Sequence, residues 1–323
     1  MTPDNPFPPS PSPRMRRVPK VGDVTFVILL LIATFAIVAL MVALVAVLLY
    51  QSRLAITTLG FSYLTGRQWL PETDVFGILP ALVGTLITSA IALLIAIPLG
   101  LGAAIFLTQH APTWLRAPVG QLIELLAAIP SIIYGFWGLI VLVPFERNIV
   151  EPALVAYLGW TGLFDSTPIG LDILTASLVL SVMAIPTVTA ISRDSLAAVP
   201  RSQKEAALAI GATDWEVTRR AVVPYARSGI IAGAVLGLGR ALGETMAVLL
   251  VIGNSPYLPK SLISQGATIA TVIANDFFEN AGPFELSALI EAGLILLVVT
   301  LAINIGARVI LARFQLGRGG MAE

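Results

Sequence analysis

Long stretches without a charged residue constrain this chain more than any other feature. The first runs from Val24 to Tyr50 and contains no Asp, Glu, Lys or Arg. A helix that crosses a bilayer needs about 20 predominantly apolar residues, so this stretch can span one. Charged residues make up 12% of the sequence and the mean hydropathy is +0.90, whereas about 25% of a soluble domain is charged. These values predict an all-helical protein that crosses the membrane several times.

Hydropathy predicts six transmembrane helices. The predicted spans cover residues 24–50, 78–107, 122–144, 171–191, 227–252 and 286–311. Pro98, Pro130 and Pro186 each fall inside a span. Because neighbouring helices can satisfy the carbonyl that a proline leaves free, we interpret all three as tolerated kinks, with a hinge as the alternative.

The distribution of Lys and Arg predicts the orientation. With a cytoplasmic N-terminus, fourteen of the nineteen Lys and Arg residues lie in cytoplasmic segments and four lie outside. Membrane proteins typically carry more Lys and Arg in their cytoplasmic loops than in their outer loops, so we expect both termini in the cytoplasm. Residues 1–23 are expected to form a disordered, proline-rich tail, residues 24–311 the six-span domain, and residues 312–323 a cytoplasmic C-terminal tail.

The longest predicted cytoplasmic loop, residues 192–228, carries the signals of a folded protrusion. Residues 202–205 and 213–216 each fit a capping box, in which a hydroxyl and a carboxylate satisfy free backbone N–H groups. Gly211 lies between them, where a left-handed residue would end the first helix. Pro224 is expected to stop the second helix. We therefore predict two short helices with a tight turn between them, a shape suited to fitting another surface.

Two charged residues, Arg240 and Glu244, interrupt the fifth predicted span. An arginine near the middle of a bilayer costs about 2.5–3.5 kcal/mol on translocon scales. Residues four apart lie on the same face of a helix, so the two side chains can pair. One interpretation is that the pair only holds helices together. The other is that Arg240 lines the path and binds an oxyanion such as phosphate, while Glu244 positions it and offsets its charge between anions.

Hydroxyl-bearing residues in the spans are further candidates for contact with an anion. They are Thr85, Ser131, Tyr134 and Thr245. Hydroxyls inside helices more often donate to a carbonyl of the preceding turn, which is the alternative for Thr85 and for its neighbours Thr88 and Ser89.

Residue types that the sequence lacks exclude several functions. The only histidine, His110, lies in a predicted loop, and His-Glu-x-x-His does not occur, so intramembrane serine and zinc proteases are excluded. There is no cysteine, and we expect no metal site. A Gly-x-x-x-x-Gly-Lys-Ser/Thr motif is also lacking, so any ATP that drives transport must bind another chain.

The loop sequence EAALAIGATDWEVTRRAVVP resembles the EAA loop of ATP-binding-cassette importer permeases. The matching positions are Glu205, Ala206, Ala207, Gly211 and Pro224. Just before the proline, this chain has Ala221 and Val223 where the family usually has Ile and Leu. The resemblance implies a MetI-like permease bundle whose loop seats in a groove of a separate ATPase subunit, which would hold ATP and Mg.

Three further segments resemble the phosphate permeases of Pst-type importers. They are GTLITSAIALLIAIPLG at 84–100, LLAAIPSIIYGFWGLIVLVP at 125–144, and GLGRALGETMAVLLVIGN at 237–254. Such an importer contains two related permease types. The motif ALGETMAV at 241–248 resembles the PstC type more closely than the PstA type.

This resemblance implies the permease subunit of an ATP-driven inorganic phosphate importer in the bacterial inner membrane. The implied partners are a PstA-like second permease, a dimer of PstB-like ATPases, and an extracytoplasmic PstS-like phosphate-binding protein that delivers substrate to residues 51–77, 145–170 and 253–285. We expect no reaction catalysed by this chain and no nucleic acid partner. The alternatives are a permease for another oxyanion, and an ion-coupled secondary transporter, which would suit an intramembrane Arg–Glu pair but has no need of an EAA loop.

Overall fold

The computed structural model describes residues 21–277 and 282–316, and most of them are helical. In these ranges the α-helices are α1 (Val21–Leu59), α2 (Ser62–Thr65), α3 (Leu79–Ile105), α4 (Thr113–Ala128), α5 (Ser131–Trp137), α6 (Val143–Phe145), α7 (Glu151–Leu158), α8 (Ile173–Ala197), α9 (Arg201–Ala209), α10 (Asp214–Val217), α11 (Val223–Gly243), α12 (Met246–Leu249), α13 (Ile269–Asp276) and α14 (Pro283–Leu316). Two short antiparallel strands, β1 (Trp69–Leu70) and β2 (Val75–Phe76), form a hairpin. Of the predicted tails 1–23 and 312–323, residues 1–20 and 317–323 lie outside the described residues. The expected boundaries are wrong where they can be compared, because residues 21–23 belong to α1 and residues 312–316 belong to α14.

The predicted membrane-spanning architecture is confirmed. Within the described residues, five helical segments are long and apolar enough to cross a membrane. They are Val24–Leu59, Leu79–His110, Ile173–Ala197, Asp214–Gly243 and Pro283–Val309. Thr113–Ala128 and Ser131–Thr161 make a sixth span if they are counted together, and they meet at an angle of 91°.

The interpretation of Pro130 as a mild kink is wrong. Pro98 and Pro186 do lie inside continuous helices, but α4 ends before Pro130 and α5 begins after it. Ile129 is extended, with a ψ of 132°, as expected for a residue that precedes proline. Pro130 is extended as well, and two consecutive extended residues turn the chain sharply.

The predicted end of the third span at residue 144 is also too early. The chain stays helical to Thr161, through π-helical turns at Gly138–Leu142 and Glu146–Val150 and through α7. The sequence predicts residues 145–170 as an outer segment, yet the carboxyl groups of Glu146 and Glu151 in it are buried in the protein. These carboxyl groups are therefore surrounded by neighbouring protein segments and not by solvent.

Among the described residues, 21–47 belong to one compact unit and those from Leu48 onwards to a second. In the second unit, α3 packs along α8, and α11 packs against both. At one end, here called the hairpin end, a core forms around Tyr63, Trp69 and Phe76, whose rings meet edge to face. At the other end, here called the loop end, Leu196 and Val199 pack against residues of α10 and α11.

One glycine shows how closely the helices approach each other. A Cβ atom at Gly84 of α3 would collide with the backbone carbonyl of Ala267. Next to this contact, Thr85 accepts a hydrogen bond from the backbone N of Ile269 at 2.9 Å, where α13 begins. The start of α13 is therefore fixed by backbone approach to α3 at the hairpin end.

Candidate functional site

Arg240 lies in the last turn of α11, which begins at the loop end and stops at Gly243. A cation in this position is favoured by the negative end of the helix dipole. The side chain is half-buried, and its Nη1 donates to Thr187 Oγ1 of α8 at 3.4 Å. Because Thr187 lies near the middle of α8, the guanidinium is held at about half the depth of the bundle.

The predicted ion pair between Arg240 and Glu244 is wrong. Glu244 has left the helix and is extended, with φ −71° and ψ 125°, so the two side chains no longer share a helix face. Its Oε1 accepts from the backbone N of Ala247 at 3.4 Å. Within the described residues, the ion pairs join Arg193 with Glu124 and Asp194, and Arg220 with Glu216. In that part of the chain Arg240 has no carboxylate within 4.0 Å.

The break in the fifth span meets the break in the third. A Cβ atom at Gly135 of α5 would lie 2.9 Å from the Cα of Ala247 in α12, so the two backbones are in contact. Across the bend, the Tyr134 hydroxyl donates to the carbonyl of Leu126 at 2.8 Å. Irregular backbone at membrane depth is tolerated only where protein buries it or where it lines a cavity. The structure therefore places both interruptions, and Arg240 beside them, in one region.

The hydroxyl candidates separate into two groups. Tyr134 and Ser131 belong to α5 at the bend, and Thr245 follows Glu244, where its Oγ1 donates to the carbonyl of Gly243 at 3.3 Å. Thr85 is distant from this group in the fold, because it donates to Ala81 and accepts from Ile269 at the hairpin end. The Thr85 hydroxyl is buried and makes both hydrogen bonds to protein, and its place on the substrate path stays a prediction.

The neighbours of Thr85 follow the alternative interpretation. Thr88 Oγ1 donates to the carbonyl of Gly84 at 2.8 Å, and Ser89 Oγ donates to the carbonyl of Thr85 at 2.5 Å. Such bonds within one helix satisfy a hydroxyl locally. These residues hold α3 together internally and offer no free hydroxyl to an anion.

The predicted turn at Gly211 is confirmed. Gly211 has a φ of +87°, in the left-handed region that favours glycine. Its N donates to the carbonyl of Leu208 at 2.9 Å, and Ala212 N donates to that of Ala207 at 3.2 Å. These two bonds form a Schellman motif that ends α9. Thr213 then caps α10 with the predicted capping box.

Two details of the loop differ from the prediction. The capping box at residues 202–205 does not form, because Pro200 occupies the N-cap and Ser202 already lies inside α9. Pro224 does not stop the second helix, since α10 continues through a π-helical turn, Thr218–Val222, into α11. Pro224 therefore lies inside the continuous helical segment Asp214–Gly243, just after its π-helical turn.

The structure brings most of the EAA-type residues together on one surface. Ala206, Ala207 and Pro224 line a groove together with Ile210 and Tyr225. Ile210 is 87% exposed at the tip of the turn, although it is apolar. Glu205 is exposed on α9 outside the lining of this groove. The coupling role of these residues stays a prediction, but their shared groove is a suitable docking surface for another protein.

Sequence reasoning missed a group of buried acids before α8. Glu146, Glu151 and Asp172 are at most 2% exposed, and each has a carboxyl oxygen without a hydrogen-bond partner. Asp172 Oδ1 accepts from Thr175 N at 2.7 Å, and Glu151 Oε2 accepts from Gly170 N at 3.2 Å. The side chains of Glu151 and Asp172 also interact directly. Asp172 three residues before Thr175 at a helix start was the available signal for an N-cap.

The protein is expected to lose stability as the pH rises above the ordinary carboxyl range. Asp172 immediately precedes the span that begins at Ile173, and burial raises the pKa of its carboxyl group, with Glu151 raising this pKa further. The folded state thus binds a proton that the unfolded chain releases near pH 4. This stabilisation is complete below that pH and disappears as the pH rises through the folded-state pKa.

Asp172→Asn should weaken this pH dependence, because asparagine keeps the N-cap acceptor and carries no titrating group. The measurement is the thermal unfolding midpoint of the purified protein between pH 5 and pH 9. Asp165→Asn is the control, since Asp165 is exposed in the same segment. An unfolding midpoint that rises with pH in the wild type would contradict the proton that Asp172 holds in the folded state.

Comparison with known proteins identifies the family. Residues 96–316 match the family model described as binding-protein-dependent transport system inner membrane component. A Mesorhizobium japonicum protein named phosphate transport system permease protein PstC is 49% identical over 269 residues, which cover 82% of each chain. A Pasteurella multocida protein of the same name is 46% identical over 281 residues, which cover 86% of this chain and 88% of that one.

Solved structures confirm the permease bundle. A bacterial ABC transporter involved in the import of alginate aligns with a TM-score of 0.59 at 18% identity, over 90% of this chain and 98% of that chain. The MetNI methionine ABC transporter aligns with a TM-score of 0.52 at 18% identity, over 74% of this chain and 94% of that chain. At this identity the likeness concerns the fold alone. From the family match and the relatives together, the chain belongs to the binding-protein-dependent transport system inner membrane components, and within that family it groups with the PstC permease proteins.

Proposed function

We propose that this chain is the permease subunit through which inorganic phosphate crosses the inner membrane in an ATP-driven importer. The observation that carries the proposal is its 49% identity, over 82% of its length, to a relative named phosphate transport system permease protein. The environment of Arg240 supports it independently. Ion-coupled transport and another oxyanion are the alternatives that the experiment below separates.

Arg240 is suited to brief contact with an anion. Its bond to Thr187 is long, at 3.4 Å, and occupies Nη1 alone. A guanidinium has further N–H donors in one plane, which match two oxygens of a phosphate. Because no described carboxylate lies within 4.0 Å, those donors are free of an acidic partner. Thr187 then orients the arginine, a role that the sequence interpretation had given to Glu244.

The path would pass the region where the two broken spans meet. Ser131 and Tyr134 lie at the bend, and Glu244 and Thr245 lie where α11 has ended. Short helical segments joined by extended residues can change their angles without unwinding a long helix. The Tyr134–Leu126 hydrogen bond crosses the bend and would have to adapt in such a movement.

Energy would enter at the loop end. The groove around Ala206 and Pro224, with Ile210 exposed beside it, offers an apolar surface to an ATPase subunit. A dimer of PstB-like ATPases would hold ATP and Mg there, and a PstA-like permease would complete the path. The excess of Lys and Arg assigns this end to the cytoplasm, so a PstS-like binding protein would deliver phosphate at the hairpin end.

Reconstituted importer should take up phosphate only when ATP is supplied on the loop side. The complex would be purified with its partner chains, placed in liposomes with the binding protein, and assayed with labelled phosphate and, separately, labelled sulfate. A proton ionophore should leave the uptake unchanged. Uptake without ATP that the ionophore abolishes would favour a secondary transporter, and equal uptake of sulfate would favour a general oxyanion permease.

A further inference from the structure

A cleft between α11 and α14 contains a second arginine that the proposed function does not use. Its walls are Val235, Leu236, Gly239 and Arg240 of α11, and Leu301, Asn304, Ile305 and Arg308 of α14. On each helix these residues recur at intervals of one turn, so they form two facing stripes. Apart from the two arginines and Asn304, the side chains of the cleft are apolar.

The polar groups of the cleft suit an anion. Neither Arg240 nor Arg308 has an acidic partner within 4.0 Å among the side chains that the structure describes. Asn304 lies four residues before Arg308, so both lie on the same face of α14, and its amide adds a neutral donor. Two guanidinium groups that line one cleft give it a positive potential, which favours an anion, and the apolar walls strengthen this attraction.

We propose that Arg308 and Asn304, together with Arg240, form a binding site for a phosphate group in this cleft. A guanidinium donates two parallel N–H bonds to phosphate oxygens, which a point charge cannot do. Arg240 faces both Thr187 of α8 and the cleft, so it connects the site to the region of the broken spans. The chain would thus hold a phosphate group between its last two spans.

Two sources can supply that phosphate group. One is the transported anion, and this version rests on the proposed function. The other is the headgroup of an anionic lipid, since Arg308 lies in the part of α14 nearer to the loop end, where arginines interact with headgroups. The donors and the geometry are the same for both, so the test must vary lipid and phosphate separately.

The absence of cysteine from this sequence permits a direct test. Leu301→Cys places a single thiol in the cleft, and Val298→Cys is the matched control, because Val298 lies one turn away outside the lining. The two residues are similarly exposed, at 54% and 55%. The assembled importer, carrying either variant, would be labelled with an anionic methanethiosulfonate, and modification of this chain would be followed with time.

In detergent, inorganic phosphate at about ten times its dissociation constant should slow labelling of Leu301→Cys about tenfold, because about one site in eleven stays free. Val298→Cys should be unaffected. Adding Arg308→Gln to Leu301→Cys should remove the protection by phosphate. Adding Arg308→Lys instead should leave only part of that protection. Arg227→Gln, which removes a cation elsewhere on α11, should leave the protection intact.

Vesicles then separate the sources. Protection by phosphate in vesicles of phosphatidylcholine alone identifies the transported anion. Protection only when phosphatidylglycerol is present, without added phosphate, identifies a lipid headgroup. The site would be overturned if neither phosphate nor anionic lipid slows the labelling, if the protection persists in Arg308→Gln, or if no labelling occurs in any condition. If protection persists in an importer that moves no phosphate, the proposed function fails and the binding site stands.

Discussion

Arg240→Gln is expected to reduce phosphate uptake by about 10- to 150-fold in an importer that still assembles. A hydrogen bond to a charged group contributes about 1.5–3 kcal/mol, and every 1.4 kcal/mol is a factor of about ten. Glutamine is two bonds shorter than arginine, so the substitution removes the charge and the long contact with Thr187 Oγ1 while it leaves a polar side chain at this position. The measurement is ATP-dependent uptake of labelled phosphate, normalised to the amount of complex in the membrane.

The exchange of the two charges tests whether the arginine acts through an ion pair. Because Glu244 lies outside α11, an arginine there would not reach the position of Arg240, and it could not accept from Ala247 N. The variant Arg240→Glu with Glu244→Arg should therefore transport at background level. Glu244→Gln is the milder control, since its amide oxygen can still accept from Ala247. Near-normal uptake by the exchanged variant would show that these two charges serve only to hold helices together.

Hydropathy and charge predicted the class of fold because both depend on local composition. An uncharged stretch such as Val24 to Tyr50 must avoid water, and a helix is the way for it to satisfy its backbone in a bilayer. The Schellman turn was predictable for a similar reason. Gly211 carries the conformational signal itself, whatever surrounds it.

The breaks were not predictable from local signals. Pro98 and Pro130 are both prolines inside apolar runs, yet one lies in a continuous helix and the other at a 91° bend. What distinguishes Pro130 is tertiary, because the Tyr134 hydroxyl reaches back to Leu126 and α12 packs against Gly135. The contact between Gly135 and Ala247 joins segments more than 100 residues apart in sequence.

The same limit applies to the charged residues. Glu151 falls in the predicted outer segment 145–170, but Asp172 and the backbone of Gly170 contact its carboxyl group. The Arg240–Glu244 pairing assumed that the helix continued, whereas α11 stops at Gly243. Spacing along a helix indicates contacts only where the helix exists.

Gly211→Val is expected to uncouple ATP hydrolysis from phosphate uptake. An added Cβ would meet no atom within 4 Å, so crowding is not the reason. The reason is the φ of +87°, where a β-branched residue is strained by about 1–3 kcal/mol. This strain corresponds to a loss of about 5- to 150-fold in the population of the native turn, and the exposed Ile210 beside it would be displaced from the docking surface. Insertion of the six spans should be unaffected, because the turn lies outside them.

The decisive comparison is with Gly211→Asn, since asparagine tolerates the left-handed region better than any β-branched residue. Phosphate uptake and ATP hydrolysis would be measured on the same preparation of each variant. The valine variant should lose uptake together with the stimulation of hydrolysis by the loaded binding protein, while the asparagine variant keeps most of both. Equal loss in the two variants would mean that any side chain here blocks docking sterically. Survival of uptake in Gly211→Val would show that coupling does not depend on the geometry of this turn.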